Sequence, residues 1–146
     1  MLSIGDTAPA WKALDQNGSE VSSSDFSGKR YLLYFYPKDD TPGCTAEACG
    51  FRDQFSELSK AIAIVGVSAD SSESHKKFEE KYRLPFTLLS DPNRQLIAAY
   101  GTDGTVFPKR TSFLIGSTGV IQKIYQGFDA ASHAGQVQAD LDALNI

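Results

Sequence analysis

Tyr36-Pro37-Lys38-Asp39-Asp40-Thr41-Pro42-Gly43-Cys44-Thr45-Ala46-Glu47-Ala48-Cys49 is the segment from which the rest of the chain can be read. Just before it, Tyr31-Leu32-Leu33-Tyr34-Phe35 is a short apolar and aromatic run of the kind that fills a buried central strand. After it, Ala48, Phe51, Phe55 and Leu58 recur in an otherwise polar pattern, which predicts a helix reaching about Lys60. A strand therefore enters a turn punctuated by proline and glycine, and the turn opens a helix. The unpaired backbone N–H groups of that helix start lie near Cys44, where they stabilise a thiolate.

The chain has two cysteines, and both lie in this segment. Two are too few for a disulfide scaffold, so one reading makes them small core residues of a protein in a reducing compartment. Against it, Cys44 follows Gly43 in a turn among polar residues, which predicts an exposed thiol. The spacing adds a mechanical constraint. Five helical positions are a rise of about 7.5 Å and a net rotation of roughly 140°, which separates the Cα atoms by about 8 to 9 Å. A disulfide needs them nearer than about 7 Å. A redox pair at this spacing must melt about one turn of helix to close.

The 146 residues fit one domain, 1–146, large enough for a real core. With 41% hydrophobic and 22% charged residues the composition is that of an ordinary soluble protein. The formal charge of -4 carries no basic surplus that would recommend nucleic acid as a partner. The longest aliphatic run, Ala61 to Val67, falls far short of the roughly 20 residues that span a bilayer, so no membrane partner is expected. No run resembles a signal peptide. The expected location is cytoplasmic, or an organelle stroma where a targeting peptide has been removed.

Leu2 to Pro9 mixes apolar and turn residues and is expected as an irregular arm. Trp11 to Leu14 and Glu20 to Ser22 flank Asn17-Gly18, which favours a hairpin, with Trp11 covering a core from an edge strand. Ala61 to Ser68 reads as a second strand buried on both faces. Asp70-Ser71-Ser72-Glu73 offers caps for a helix in which His75, Phe78 and Tyr82 recur until Leu84-Pro85 stops it; its charged residues form the solvated side. Phe86 to Leu89 is a third strand. Asp91-Pro92 then starts a helix with Leu96, Ile97 and Tyr100 inward and Gly101 as the stop. Thr102 to Lys109 is a loop. Thr111 to Ile115 and Val120 to Gln126 make the clearest hairpin, and a last helix from about Ala130 to Leu144 sets Val137, Leu141 and Leu144 on one stripe.

Strands alternating with helices imply parallel crossovers, and the last hairpin adds antiparallel strands. The fold class is α/β: a thioredoxin-like fold with a mixed central sheet between helices and an N-terminal hairpin extension. Chemistry on the loop after Tyr31 to Tyr36 fits the usual ligand position outside the carboxyl ends of parallel strands.

Phe35 through Thr45, with Glu47, Cys49, Phe51 and Arg52, resembles almost position by position the central motif of the peroxiredoxins, specifically the peroxiredoxin Q or bacterioferritin comigratory protein group. Gly66-Val67-Ser68, Phe78, Pro85-Phe86, Leu89-Ser90-Asp91 and Arg110 through Ile115 are similar in order and spacing, so the resemblance covers essentially the full chain. Ser112, where many relatives carry threonine, and Gly116, for a frequent aspartate, depart from it and touch turn geometry rather than chemistry.

The resemblance implies that Cys44 is the peroxidatic cysteine, that Cys49 of the same chain resolves it, and that thioredoxin or a related dithiol protein reduces the disulfide. It also places Arg110 beside Cys44, where fixed donors would hold the sulfur and the peroxide oxygens; the alternative is a surface arginine at a strand start. Thr41 offers a hydroxyl to bound peroxide or caps the helix. Pro37 shields the thiolate and fixes the turn, or merely stops the strand. Glu47 reads first as a helix-surface glutamate and second as an anchor for the arginine. His75 and His133, isolated from each other and from any carboxylate motif, read as ordinary helix-face histidines. The cysteines lack the further ligands of a zinc site, and no glycine-rich nucleotide signature occurs, so neither cofactor nor metal is expected. The family contains monomers and dimers; a monomer is expected here, with a dimer open.

The leading function is a thiol peroxidase acting on hydrogen peroxide and small organic hydroperoxides. Cys44 becomes a sulfenic acid, Cys49 condenses with it, and an external dithiol restores both thiols. One alternative is a protein thiol–disulfide oxidoreductase, whose compact signature is Cys-x-x-Cys, whereas this chain sets four residues between its cysteines. Another is a redox sensor or holdase, because closing the disulfide would expose helix side chains such as Phe51.

Overall fold

A computed structural model describes residues 1–144. The elements run β1 (Lys12–Leu14), β2 (Glu20–Ser22), β3 (Tyr31–Phe35), α1 (Pro42–Asp53), α2 (Phe55–Leu58), β4 (Ala63–Ser68), α3 (Ser72–Tyr82), β5 (Thr87–Ser90), α4 (Gln95–Ala99), β6 (Thr111–Ile115), β7 (Ile121–Tyr125) and α5 (His133–Ala143). Every residue of β3 is buried, because its side chains alternate between two covered faces. Leu32, Tyr34 and Tyr36 enter one core layer with Ala48 and Phe51 of α1, Phe78 of α3, and Val137 and Leu141 of α5. Tyr31, Leu33 and Phe35 enter the other with Trp11, Leu96 and Ile97. Each such side chain contributes about 1.5–3 kcal/mol on burial, so this one strand ties both layers together.

The sheet order is β2-β1-β5-β4-β3-β6-β7. β3, β4 and β5 are parallel, while β6 runs antiparallel beside β3 and β7 beside β6. The N-terminal hairpin joins antiparallel to β5 through Leu14 and Ser90. This is the mixed, helix-covered thioredoxin-like sheet with a hairpin extension that the sequence predicts. Parallel strands bring the carboxyl ends of β3, β4 and β5 to one edge. The β6 register sets Thr111 opposite Phe35, so Arg110, one residue earlier, arrives at the end of β3 where the chain turns toward α1.

Several boundaries differ from the expectations. The helix after Cys44 does not run unbroken to Lys60: α1 ends at Asp53, Gln54 leaves the helical conformation, and the separate turn α2 carries Leu58 into the core. Pro92 does not open α4. The Asp91 carboxylate instead accepts the backbone N–H groups of Gln95 and Ile97, across an intervening turn. The last helix begins at His133 after a 3-10 turn at Ala130–Ser132, and its inner stripe is Ala134, Val137 and Leu141. Leu144 lies past the final turn and is exposed. The N-terminal arm is irregular but pinned by a Thr7–Val120 bridge to the start of β7.

Candidate active site

α1 starts with Thr41 at its N-cap, Pro42 in the first position and Cys44 in the third. Proline suits that first position because its missing N–H would have no helical partner anyway. Thr41 has the extended backbone of a cap, yet its hydroxyl donates to the Lys38 carbonyl at 2.9 Å and makes no capping bond. Pro37, half-buried, ends the strand just upstream. The first-turn N–H groups lack intrahelical acceptors, so the positive end of the helix dipole falls at Cys44.

Cys44 is 1% exposed, packed into the core layer with Tyr34, Tyr36, Ala48 and Phe51. The expectation of an exposed thiol is corrected: Cys44 lies on the same face of α1 as Ala48 and Phe51, the face packed against β3. Cys49 is half-buried, and both thiols are free.

The Arg110 guanidinium spans two acceptors. Nη2 donates to Cys44 Sγ at 3.4 Å, and Nη1 donates to Glu47 Oε1 at 2.7 Å. Glu47 is therefore not a helix-surface residue; one turn after Cys44 it points inward and anchors the arginine. Burial raises its carboxyl to about 7, while the charge and hydrogen bond of Arg110 pull the other way. Burial works against the Arg110 cation, but Glu47 and Cys44 outweigh it and hold Arg110 above its ordinary value. In the same core layer, the Tyr34 phenol has no hydrogen-bond partner among the described residues, and burial, with Glu47 and Cys44 adding to it, keeps that phenol protonated. A helix N-terminus and a fixed guanidinium thus converge on the Cys44 sulfur.

Residues 4–124 match the AhpC/TSA family. Peroxiredoxin Q of Sedum lineare, a chloroplastic protein, is 43% identical over 145 residues, covering 96% of this chain and 78% of the relative. The chain belongs to the peroxiredoxins, in the peroxiredoxin Q and bacterioferritin comigratory protein group. Among solved structures, peroxidoxin BcpB from Mycobacterium tuberculosis superposes with a TM-score of 0.92 at 33% identity, covering 98% of both chains. A cysteine-to-serine mutant of PrxQ from Xylella fastidiosa gives a TM-score of 0.94 at 29% identity, over 100% of this chain and 99% of the other. The chain is accordingly an enzyme, a thiol-based peroxidase.

Two histidines of this peroxiredoxin depart from the sequence reading. His75 is fully buried, with Nδ1 2.7 Å from Asp39 Oδ2 and Nε2 2.9 Å from the Leu89 carbonyl. It is neither on the helix surface nor remote from a carboxylate. Its spacing with Phe78, three residues on, already marks the inner face of α3; that signal was available. His133 is also buried, stacked on Phe128 with ring centroids 3.7 Å apart, and its Nε2 lies 2.8 Å from Ser112 Oγ. Burial, aided by the Arg110 charge, lowers His133 to about 4, so it is neutral at physiological pH. Asp39, Asp70 and His75 bring donor atoms within 4.8 Å of one another, as a metal site would. Those atoms are engaged with each other and with Ser68 and Ser74, which makes the trio a hydrogen-bonded cluster.

Proposed function

We propose that this peroxiredoxin reduces hydrogen peroxide and small organic hydroperoxides through Cys44, with Cys49 as the resolving thiol and thioredoxin or a related dithiol protein as reductant. The observation that carries the reading is the single guanidinium that touches both the Cys44 sulfur, at 3.4 Å, and the Glu47 carboxylate, at 2.7 Å. Its charge favours the thiolate. With Nη1 tied to Glu47, Nη2 stays aimed at the sulfur, within reach of a peroxide oxygen that contacts it.

The thiolate attacks one peroxide oxygen, the O–O bond breaks as the S–O bond forms, and the leaving oxygen takes a proton to depart as water or alcohol. Cys49 then attacks the sulfenic sulfur, a water leaves, and the Cys44–Cys49 disulfide forms. The reductant's thiolate opens that disulfide through a mixed disulfide, and its second thiol releases the enzyme with both cysteines reduced. Thr41, whose hydroxyl proton goes to Lys38, keeps oxygen lone pairs to accept from a peroxide O–H. Pro37 screens the sulfur from water. The burial of Cys44 favours a small oxygenated substrate over a protein disulfide, which supports this reading against a protein oxidoreductase. The cycle suits a reducing compartment, cytoplasm or stroma.

Steady-state turnover of hydrogen peroxide with a thioredoxin-reducing system tests the scheme. Cys44→Ser is expected to abolish turnover and sulfenic-acid labelling, and Cys49→Ser to permit one oxidation of Cys44 while losing thioredoxin-supported turnover. Retained peroxidase activity in Cys44→Ser would overturn the assignment.

A further inference from the structure

The loop between β3 and α1, which carries Pro37 and Thr41, is held from below by a buried polar cluster that the peroxidase steps do not use. Its centre is His75 on the inner face of α3. Nδ1 meets Asp39 Oδ2 at 2.7 Å, and Nε2 meets the backbone carbonyl of Leu89 in β5 at 2.9 Å. Asp39 in turn receives the Tyr36 hydroxyl on Oδ1 at 2.5 Å and the Ser74 hydroxyl on Oδ2 at 2.8 Å, while its own N–H donates to Asp70 Oδ2 at 2.8 Å. The backbone of the loop and its carboxylate are thus fixed to β3, β4's exit and α3 at once.

The two partners of the ring decide its protonation. A carbonyl oxygen can only accept, and a carboxylate that already receives two hydroxyl donors accepts as well. A neutral ring has one lone pair, which would be set against an oxygen at 2.7 or 2.9 Å whichever tautomer formed. Each ring nitrogen must therefore donate. The ionisable groups facing the ring are Asp39, Tyr36 and Asp70, whose carboxylate lies within 4.8 Å of a ring nitrogen, accepts from the Asp39 amide and the Ser68 hydroxyl, and adds a second negative charge that favours a cationic ring. Glu79 one turn along α3 is engaged by Gln16 and Lys76, and β5 presents the Leu89 carbonyl.

We propose that His75 is a positioning residue for the peroxidase reaction: a doubly protonated, buried imidazolium that, through Asp39, locks the Pro37–Thr41 loop to the sheet and so sets the wall around Cys44. The proposal rests on Cys44 being the nucleophile. It divides the site into two mechanical parts. The loop before Thr41 is latched to α3 and β5, which do not contain either cysteine, whereas α1 carries both and must open for the disulfide to form. Peroxide capture depends on the latched part and condensation on the opening part.

Nitrogen-15 spectra of the reduced wild-type enzyme at neutral pH test the latch without reference to activity: both His75 ring nitrogens are expected to carry protons, and a lone-pair nitrogen on His75 would overturn the proposal. Rapid-mixing kinetics supply the functional arm. In His75→Phe, oxidation of Cys44 by peroxide is expected to slow by about tenfold to a hundredfold, the usual consequence of a loosened catalytic geometry, while condensation of the sulfenic acid with Cys49 is not slowed. General destabilisation would not separate the two steps in this way. Undiminished oxidation, or equal slowing of both steps, would overturn the proposal; should His75→Phe not fold, Asp39→Asn is read by the same split. Loss of the nucleophile assignment itself would show separately, as turnover retained in Cys44→Ser.

Discussion

The backbone of Gly43 faces the Arg110 guanidinium so closely that a Cβ at this position would lie 3.0 Å from Nη2. Gly43 sits in the first turn of α1, where its backbone conformation is one that any residue adopts, so it is the missing side chain that matters. Helix propensity alone predicts that Gly43→Ala stabilises α1 by up to about 1 kcal/mol. The contact predicts that the same change pushes the guanidinium off the Cys44 sulfur. Thermal unfolding is expected to be unchanged or raised while stopped-flow oxidation of Cys44 slows by about tenfold, a shift of roughly 1.4 kcal/mol in the barrier. An unaltered oxidation rate would mean that the arginine finds an equivalent position.

Removing Arg110 altogether is more severe. Arg110→Met deletes the cation beside the thiolate and the donor aimed at the reacting oxygens, and oxidation by peroxide is expected to fall by about a hundredfold to a thousandfold. Alkylation of Cys44 at neutral pH should slow less, because it needs the thiolate but not the peroxide donors. Arg110→Lys is expected to restore only part of the rate, since one ammonium cannot reproduce a planar fork that reaches sulfur and carboxylate together. Parallel alkylation and peroxide time courses on the three proteins would check the order; equal losses in both reactions would remove the claim that Arg110 binds peroxide.

Glu47 makes stability depend on pH. Its folded carboxyl titrates near 7 against 4.5 for the ordinary group, because burial disfavours the charge more than Arg110 restores it. Between those values the folded state holds more protons than the unfolded one, so this group's contribution falls as pH rises from about 4.5 through about 7 and is constant above. The whole change is on the order of 3 kcal/mol. Glu47→Gln keeps an oxygen for Arg110 Nη1 and has no charge to bury. Urea unfolding at several pH values should therefore show the variant gaining on the wild type across that window, with no further gain at higher pH; a constant difference would mean that Glu47 is ionised throughout.

The central strand was legible because five consecutive apolar residues at Tyr31–Phe35 have few other uses, and the hairpins because Asn17-Gly18 and Gly116–Gly119 supply turn chemistry. The approach of Arg110 to Cys44 is legible from the expected pairing of its strand with the central one and from the family resemblance, since the β3–β6 register produces it and no local pattern does. Cys44 was misjudged for a local reason. Cys44 shares the face of α1 that Ala48 and Phe51 pack against β3, and that face, not the polarity of the adjoining loop, decides its burial. Glu47 and His75 were misjudged because an ionisable residue on a helix is usually solvated; each is buried here against a partner from a distant part of the chain, Arg110 and Asp39.

The two cysteines lie on one uninterrupted helix, α1, as free thiols. Regular helical geometry holds their Cα atoms about 8 to 9 Å apart, beyond the roughly 7 Å limit for a disulfide, so forming the bond requires the helix to open between them. Opening from Thr45 to Arg52 releases the Glu47–Arg110 pair and the bond from Arg52 Nη1 to the Tyr82 carbonyl, and withdraws Ala48 and Phe51 from the core. Exposing Phe51 alone costs about 1.5–3 kcal/mol, which the covalent bond must offset and which draws the helix back once the thiols are restored. The sheet keeps its own hydrogen bonds and both layers of β3, so it has no reason to follow. Hydrogen exchange is expected to accelerate between Thr45 and Arg52 in the oxidised enzyme while β3, β4 and β6 stay protected, and non-reducing mass spectrometry should find the Cys44–Cys49 bond within one chain. Equal protection of that segment in both states, or a bond between chains as the main product, would place the resolving thiol outside α1 of the same molecule.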